Sequence, residues 1–291
     1  DSGEPSRGHR VVFFDIEVEM KGGFPNKDNP IQALTSISLY DKTSDQMYAL
    51  VWDPHNKFTK LKDDSVEVQC YETEYELIQG CLLLMSMLNP TIVSGWNTDL
   101  FDIPYLFNRM RLVVGEEMAK SLSPINQIMY REAQGIYKIA GVSSLDYLKL
   151  YRKFSMGDRP SYALDAIGEL EVGMKKIKYE GTLQDLYEQD ITKYVEYNIR
   201  DVELLKQLDE KLGYIETARA LCHKGHIPYE NIYTQSQILD GAMLTYLKRR
   251  NIVAPSKKIA NSANYSGEGR KHISGAFVKE PQAGLHEWVF D

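Results

Sequence analysis

Residues 10–18 read RVVFFDIEV, and this stretch decides the fold. Its β-branched and aromatic residues predict a strand in the middle of a sheet. Asp15 and Glu17 interrupt the apolar run, and side chains at i and i+2 on a strand point to the same face. Buried like charges repel each other, and a divalent cation compensates them well. The alternative is a strand end that exposes both acids to water.

The composition limits the class of protein. The 291 residues include 34 Lys and Arg and 41 Asp and Glu, which gives a net charge of −7. This balance argues against a wide basic surface that coats nucleic acid, but it allows a narrow site in which metal ions supply the positive charge. With 43% hydrophobic and 26% charged residues, the chain is typical of globular proteins. The longest apolar run, residues 81–85, is far shorter than the ~20 residues of a membrane span, so we expect no membrane partner.

The three cysteines are odd in number and far apart, which fits free thiols in a reducing compartment. Cys222, His223 and His226 lie close together, but one cysteine and two histidines make an incomplete zinc set. We therefore expect an ordinary role for them at a helix end or in a loop.

The periodicity of the remaining chain predicts a mixed sheet. Strand patterns at 31–40 and 46–52 flank the turn DKTSD, which predicts a hairpin. Further patterns predict short strands at 91–96 and 136–142, and helices at 74–88, 102–114, 144–154, 161–170, 189–212 and 238–250. A hairpin followed by alternating helices and strands predicts an α/β fold, a mixed sheet flanked by helices on both faces.

Two further segments carry acids in suggestive positions. Residues 96–102 (WNTDLFD) follow a strand and open a helix, where α/β folds place ligands, although Asp102 could equally be a helix N-cap. In the predicted helix 189–212, Tyr197 and Asp201 are four residues apart and share a face. An acid that faces core residues needs a partner, which suggests a functional role for Asp201. The alternative interpretation is that Asp201 lies on the surface and pairs with Arg200 or a lysine.

These acids predict a metal site when they are taken together. The four carboxylates belong to Asp15, Glu17, Asp102 and Asp201. A sheet with flanking helices can bring a strand, a helix start and a long helix to one end. Four acids without a matching basic cluster indicate a site for hard cations, Mg²⁺ or Mn²⁺. Two such ions can clamp the attacking water and the leaving oxygen of a phosphodiester.

The three segments also carry a family resemblance. DIE at 15–17, N-x3-F-D at 97–102 and Y-x3-D at 197–201 resemble, in this order, the three exonuclease motifs of family B DNA polymerases, with the closest fit to the T-even-phage-like branch. Residues 144–154 (SLDYLKLYRKF) and 161–167 (SYALDAI) resemble segments between those motifs. Residues 275–278 (GAFV) resemble the segment before the polymerase module, and Asp291 falls where polymerase motif A would begin. The resemblance covers nearly the whole chain.

This resemblance implies a ribonuclease H-like fold and a 3′–5′ proofreading exonuclease that releases nucleoside 5′-monophosphates. The implied ligands of two Mg²⁺ or Mn²⁺ ions are Asp15, Glu17, Asp102 and Asp201. Tyr197 would orient the attacking water. Asn97 and Phe101 would lie near the terminal nucleotide, although Phe101 could equally be a core residue.

The resemblance also implies how the chain is organised. We expect an exonuclease domain over 1–213, a helical connecting segment over 214–255, and the truncated start of a polymerase palm over 256–291. The expected partners are single-stranded DNA at a primer 3′ end and the remaining polymerase domains. Without those domains, the chain should not synthesise DNA. The expected location is the cytoplasm of a bacterial cell, including a phage-infected one.

Two alternatives remain open. One is a catalytically silent exonuclease fold that serves as a scaffold, against which the presence of all four acids counts. The other is a stand-alone exonuclease or a subunit of a naturally split polymerase, and the palm-like segment near the end counts against an independent enzyme.

Overall fold

The structure is a computed structural model that describes residues 8–256 and Gly284. Its strands are β1 Val11–Val18, β2 Leu34–Asp41, β3 Gln46–Trp52, β4 Val66–Tyr71, β5 Ile92–Ser94, β6 Ile128–Arg131, β7 Ile136–Ile139 and β8 Ser143–Ser144. Its α-helices are α1 Glu74–Leu88, α2 Asp102–Val114, α3 Glu116–Lys120, α4 Tyr147–Phe154, α5 Leu164–Val172, α6 Leu183–Gln189, α7 Ile191–Leu212, α8 Tyr214–Gly225 and α9 Gln235–Arg249. The GAFV segment, Asp291 and almost all of the predicted palm region lie outside the described residues.

Six strands form a mixed sheet in the order β4-β3-β2-β1-β5-β8. Strand β2 is antiparallel to both of its neighbours, whereas the other adjacent pairs are parallel. Strands β6 and β7 form a separate antiparallel pair. The central position of β1 agrees with the prediction from its sequence. The mixed sheet with helices on both faces is consistent with a ribonuclease H-like fold, and the predicted fold class is confirmed.

The alternation of side chains along β1 divides the core into two layers. Its even-numbered residues enter the core beneath α1 and α2. Val11 and Phe13 enter the opposite core, which α4, α5, α7 and α8 cover. Asp15 and Glu17 continue this second face, so the pleat of the strand points both acids toward the side of α7.

Several elements differ from the sequence predictions at their starts. Helix α4 begins at Tyr147 because the Asp146 carboxylate caps it, and Ser144 belongs to a strand instead. Helix α5 begins at Leu164, and Ser161 does not cap it. The Ser161 hydroxyl oxygen accepts a hydrogen bond from the backbone N–H of Ala163, a local turn that precedes the helix.

The predicted helix 189–212 is α7, Ile191–Leu212, and the short helix α6 before it was not predicted. Asp190 separates α6 from α7, and its side chain accepts the backbone N–H of Lys193 to cap α7. Strands β4 and β6 and helix α8 were not predicted. Strand β4 forms the edge of the sheet and is half exposed, so its sequence VEVQCY lacks an apolar run. In the described part of the chain, no helix is both long enough and apolar enough to cross a membrane.

Phe13 provides a test of this layered core. Its ring is fully buried and lies 6.3 Å from the ring of Tyr40 and 6.1 Å from that of Tyr147. We expect Phe13→Ala to lower the free energy of unfolding by about 3–5 kcal/mol, because it leaves a cavity beside the central strand. Phe24→Ala removes a ring that is 84% exposed and should change stability by less than ~0.5 kcal/mol. Chemical denaturation measures both, and equal small losses would contradict the placement of β1.

Candidate active site

Three acids from two elements meet at one place. Asp15 and Glu17 on β1 and Asp201 on α7 each offer a carboxylate oxygen, and these oxygens lie within 4.8 Å of one another. Asp201 is buried, and the other two are half-buried. Within residues 8–256, this is the only such group of three or more His, Cys, Asp or Glu side chains, so the residues around Cys222 form none.

One carboxylate oxygen of Asp201 is buried without a hydrogen-bond partner and can bind a ligand. This atom is Oδ1, while Oδ2 accepts from the Lys176 ammonium. A buried carboxylate oxygen without a partner is costly, because it has lost the hydration that water would give it. Hard divalent cations prefer carboxylate oxygens, so this donor set fits Mg²⁺ or Mn²⁺.

Asp102 lies beside this group but is not one of its three members. It is the first residue of α2, the N-cap is Phe101, and no side chain caps the helix, so the N-cap interpretation of Asp102 is wrong. Burial raises the pKa of its carboxyl to about 7. Hydrogen bonds from the backbone N–H groups of Ile16 and of Asp102 itself favour the charged form and partly oppose this increase. The charges of Asp146 and then of Asp201 add to the increase in this pKa, so Asp102 lies close enough to both carboxyls to interact with them.

Burial and mutual repulsion determine the charge state of the acids on β1. The pKa of Asp15 lies well above its ordinary value, first because of burial and then because of the charges of Asp201, Asp102 and Glu17. For Glu17, burial and the Asp201 charge raise the pKa to about 8. Without divalent cations, the acids on this strand therefore take up protons near neutral pH.

Lys176 is a member of the site that the sequence did not indicate. Its ammonium donates to Asp201 Oδ2 and to the Tyr197 hydroxyl at 3.2 Å. Burial alone would lower the pKa of the lysine, but the charge of Asp201 outweighs this effect and raises it. Because Lys176 lies in the connection between α5 and α6, no periodicity predicts that it turns inward.

Tyr197 lies one helical turn before Asp201, and both contact Lys176. Its half-buried ring packs edge-on against Tyr179, with ring centroids 5.4 Å apart. Burial raises the pKa of the phenol above its usual value, so the hydroxyl keeps its proton at neutral pH. Since its oxygen accepts from Lys176, its own hydrogen is available for a different acceptor.

The buried carboxylate of Asp146 holds the loop that precedes α2. It accepts the backbone N–H groups of Asn97 and Asp99, each at 3.2 Å, while it also caps α4. Asn97 adopts a left-handed conformation with φ of 67°, which asparagine tolerates better than most residues. Phe101 follows in the same loop. Its ring packs at the edge of the core with its centroid 5.6 Å from that of Tyr105.

The sequence would have allowed one further residue to be found. Asn198 follows Tyr197 in α7 and falls on the buried stripe that includes Tyr194 and Asp201. A fully buried amide on an apolar stripe requires partners, and Asn198 donates to Asp15 Oδ2 at 2.8 Å. Its position at helical spacing from Asp201 was the available signal.

The sheet and its acidic cluster together define the class of metal-dependent exonuclease domains, and comparison with known proteins gives the family. The family profile described as "DNA polymerase family B, exonuclease domain" matches residues 4–167. This chain belongs to that family. The match includes the segments of Asp15, Glu17 and Asp102, and it ends before α7.

Individual relatives agree with this assignment. The chain is 31% identical over 311 residues to the DNA-directed DNA polymerase of Escherichia phage RB69, which covers 96% of this chain and 33% of the relative. It is 28% identical over 309 residues to the DNA-directed DNA polymerase of Enterobacteria phage T4, with the same coverage of 96% and 33%. It is 28% identical over 306 residues to DNA polymerase 1 of Saccharolobus solfataricus, covering 94% of this chain and 32% of the relative.

The chain thus spans about a third of the length of these curated relatives. The predicted family, its phage-like branch and the 3′–5′ exonuclease class are confirmed by these matches. The assignment of individual site residues and the domain boundaries stay predictions.

The Asp146 interactions generate a testable prediction for the loop before α2. Asp146→Asn keeps one acceptor oxygen but places an NH₂ group where backbone N–H groups now donate. Because a buried hydrogen bond to a charged group is worth about 1.5–3 kcal/mol, we expect the amides of Asn97 and Asp99 to exchange with solvent at least ~10-fold faster. Amide hydrogen exchange measures this, with the amides of β1 as the internal control. Unchanged exchange at both positions would contradict the role of Asp146.

The raised pKa values also predict how stability depends on pH without divalent cations. The folded protein binds protons at Glu17 and Asp102 up to about pH 8 and about pH 7, whereas the unfolded chain releases them near the ordinary values of 4.5 and 3.8. The folded state therefore holds more protons across this window, and the free energy of unfolding falls as the pH rises through it.

We expect thermal unfolding in EDTA to shift to lower temperature between pH 5 and pH 8. The double variant Asp15→Asn, Glu17→Gln should show a smaller shift, because two of the titrating groups are gone. Mg²⁺ should stabilise the wild type more at pH 8 than at pH 5, since it competes with protons for the same oxygens. A shift of equal size in the wild type and the double variant would show that these acids are not its source.

Proposed function

We propose that this chain hydrolyses the 3′-terminal phosphodiester of single-stranded DNA with the help of two divalent ions, Mg²⁺ or Mn²⁺, and releases nucleoside 5′-monophosphates. The observation that carries this proposal is the meeting of Asp15, Glu17 and Asp201, whose carboxylate oxygens lie within 4.8 Å of one another. Membership of the family B exonuclease domain supports the reaction class.

The residues that would hold the ions are Asp15, Glu17, Asp102 and Asp201. The unpartnered Oδ1 atom of Asp201 supports its assignment, and the electrostatic interaction of Asp102 with Asp201 supports a fourth ligand. The bound ions would lower the pKa of a water molecule and stabilise the charge on the departing 3′ oxygen. Three or four clustered carboxylates would otherwise repel the phosphate, so the site needs the cations for binding as well as for chemistry.

Tyr197 has the proton that orientation of the attacking water requires. Its oxygen accepts from Lys176, which leaves its hydrogen free to donate to a hydroxide or water beside Glu17. The Lys176 ammonium is the positive charge nearest to Asp201, and it holds the phenol in place by hydrogen bonding. We infer that Tyr197 and Glu17 together position the nucleophile in line with the leaving oxygen.

The charge of the chain supports a small substrate-binding groove. A net charge of −7 does not provide a wide basic surface for a duplex, whereas a few unpaired nucleotides can be held by metal ions and aromatic stacking. Asn97 and Phe101 would contact the terminal nucleotide from the loop that Asp146 holds. The half-buried ring of Phe101 also packs on the core, which supports a fixed stacking platform.

We further propose that the exonuclease domain covers residues 1–213 and works with the remaining domains of a polymerase. The left-handed Gly213 at the end of α7 supports the boundary. The connection over 214–255 begins with α8, which packs on the same core as α7, and 256–291 would be the start of a palm. The relatives are about three times as long as the matched region and are polymerases. The phage relatives support action in the cytoplasm of a bacterial cell.

Removal of a metal ligand tests the proposed reaction. With a 5′-labelled single-stranded oligonucleotide and Mg²⁺, we expect the wild type to shorten the strand stepwise from its 3′ end. Asp15→Ala should lower the rate by roughly three orders of magnitude or more, because a metal ion supplies several kcal/mol of transition-state stabilisation. The exposed acid Asp158 offers a matched control, and Asp158→Ala should keep the wild-type rate.

Circular dichroism should show that the three proteins have the same secondary structure. Shortening by Asp15→Ala at the wild-type rate would refute the assignment of the site. A folded wild-type protein that leaves the strand intact with both Mg²⁺ and Mn²⁺ would instead favour a silent scaffold.

A further inference from the structure

The amide of Asn198 occupies a distinctive position between the central strand and α7. The side chain is fully buried. Its Nδ2 donates to Asp15 Oδ2 at 2.8 Å, and its Oδ1 accepts from the hydroxyls of Ser36 at 2.9 Å and Ser38 at 2.6 Å. These contacts connect α7, β1 and β2 at the acidic cluster.

The register of the sheet explains why these groups meet. In the antiparallel pair of β1 and β2, Asp15 lies opposite Ser38 and Glu17 lies opposite Ser36. Directly opposed side chains share a face of the sheet, so the two acids and the two serines form one polar patch. Asn198 projects onto this patch from α7, one turn before Asp201.

The two serines hold the oxygen end of the amide. A carbonyl oxygen has two lone pairs, and the hydroxyl hydrogens of Ser36 and Ser38 occupy both of those on Asn198 Oδ1. The NH₂ group then faces Asp15. A serine hydroxyl can donate or accept, whereas the ionised Asp15 carboxylate can only accept, so the carboxylate determines this orientation. The serines hold the other end of the amide and keep its NH₂ group in place against Asp15.

We propose that Asn198, held by Ser36 and Ser38, is a positioning residue that fixes the rotation of the Asp15 carboxylate for cation binding, an inference that rests on the proposed metal-dependent function. With Oδ2 engaged by the amide, the Oδ1 atom of Asp15 remains for the cation that Glu17 and Asp201 share. Unlike Lys176, the amide is neutral, so it orients the ligand without competing electrostatically with a metal ion.

Binding of Mn²⁺ to the full chain tests this inference independently of catalysis. Titration followed by the electron paramagnetic resonance of free Mn²⁺ gives the affinity of each variant. Loss of a group that orients a metal ligand typically weakens metal binding by about 10–100-fold, and we expect Asn198→Ala to fall in this range. In the exonuclease assay, the same variant should need a correspondingly higher Mg²⁺ concentration and should recover part of its rate when saturated.

A second variant covers the case in which Asn198→Ala does not fold. Ser36→Ala combined with Ser38→Ala leaves Asn198 and all acids in place but removes the hydroxyls that hold the amide oxygen, and it should weaken Mn²⁺ binding in the same direction by a smaller factor. Asp209→Asn provides a control for general disturbance of α7, because Asp209 is buried on that helix and pairs with Lys42 at 2.6 Å. It should bind Mn²⁺ like the wild type.

The outcomes separate this inference from the proposed function. Mn²⁺ binding that is lost in Asp15→Asn but of wild-type strength in both the Asn198 and the serine variants would overturn the positioning role and leave the proposed function standing. Weakened binding in Asp209→Asn equal to that in Asn198→Ala would also overturn it. Mn²⁺ binding that is unaffected by Asp15→Asn, or absent from the wild type, would overturn both the cation site and the inference. Normal binding without hydrolysis of DNA would refute the proposed function alone.

Discussion

The repulsion among carboxylates on one face of the central strand is the constraint on which the rest of the site depends. Asp15 and Glu17 are brought together by the two-residue period of β1, and Asp201 of α7 joins them from above. Such a cluster is unfavourable unless protons, an ammonium or metal ions balance it. The structure contains the first two means of compensation. The pKa of Glu17 is raised to about 8, so this acid binds a proton near neutral pH, and the Lys176 ammonium pairs with Asp201. We propose that metal ions are the third.

The fold makes this unfavourable arrangement sustainable. The even-numbered residues of β1 and the pair Val11 and Phe13 anchor the strand in two apolar cores, so the acids cannot move apart. Helix α7 lies across the same face, and its own core contacts fix the height of Asp201 above the sheet. Asp146 plays a corresponding part for the loop before α2, because it ties the backbone of Asn97 and Asp99 to the start of α4. The apolar packing around the site thus holds together acids that would otherwise repel each other and move apart.

The sequence was most informative where the periodicity was strong. The pleat of β1 placed Asp15 and Glu17 on one face, and the helical spacing of α7 directed Asp201 toward them, so the class of fold and the meeting of three acids could be predicted. The half-exposed edge strand β4 lacks an apolar run, and Asp190 ends one helix and caps the next without any break in the polar pattern. Short elements such as β4 and the seven-residue helix α6 carry too little periodicity to be predicted from their sequence.

The contributions of Lys176 and Asn198 show a different limit. Lys176 reaches the site from an irregular connection, and its position follows from tertiary packing alone. Asn198 sits at helical spacing from Asp201, but its amide is held by Ser36 and Ser38, whose register against β1 no local pattern specifies. Residues that carry charge at regular spacing are therefore visible in a sequence, whereas the contacts that hold them in position depend on tertiary packing and on the register of the strands.

The central claim, that the carboxylates of Asp15, Glu17 and Asp201 gather to share divalent cations, is tested most directly by locating the ions. Crystals of the chain grown with Mn²⁺ and a nucleoside 5′-monophosphate would show each ion in an anomalous difference map. Our account predicts two peaks beside these acids, with Asp102 and the phosphate of the nucleotide completing the coordination. A map in which the nucleotide is bound but no peak lies near Asp15 would contradict it. So would a structure in which Asp201 contacts Lys176 and no ion.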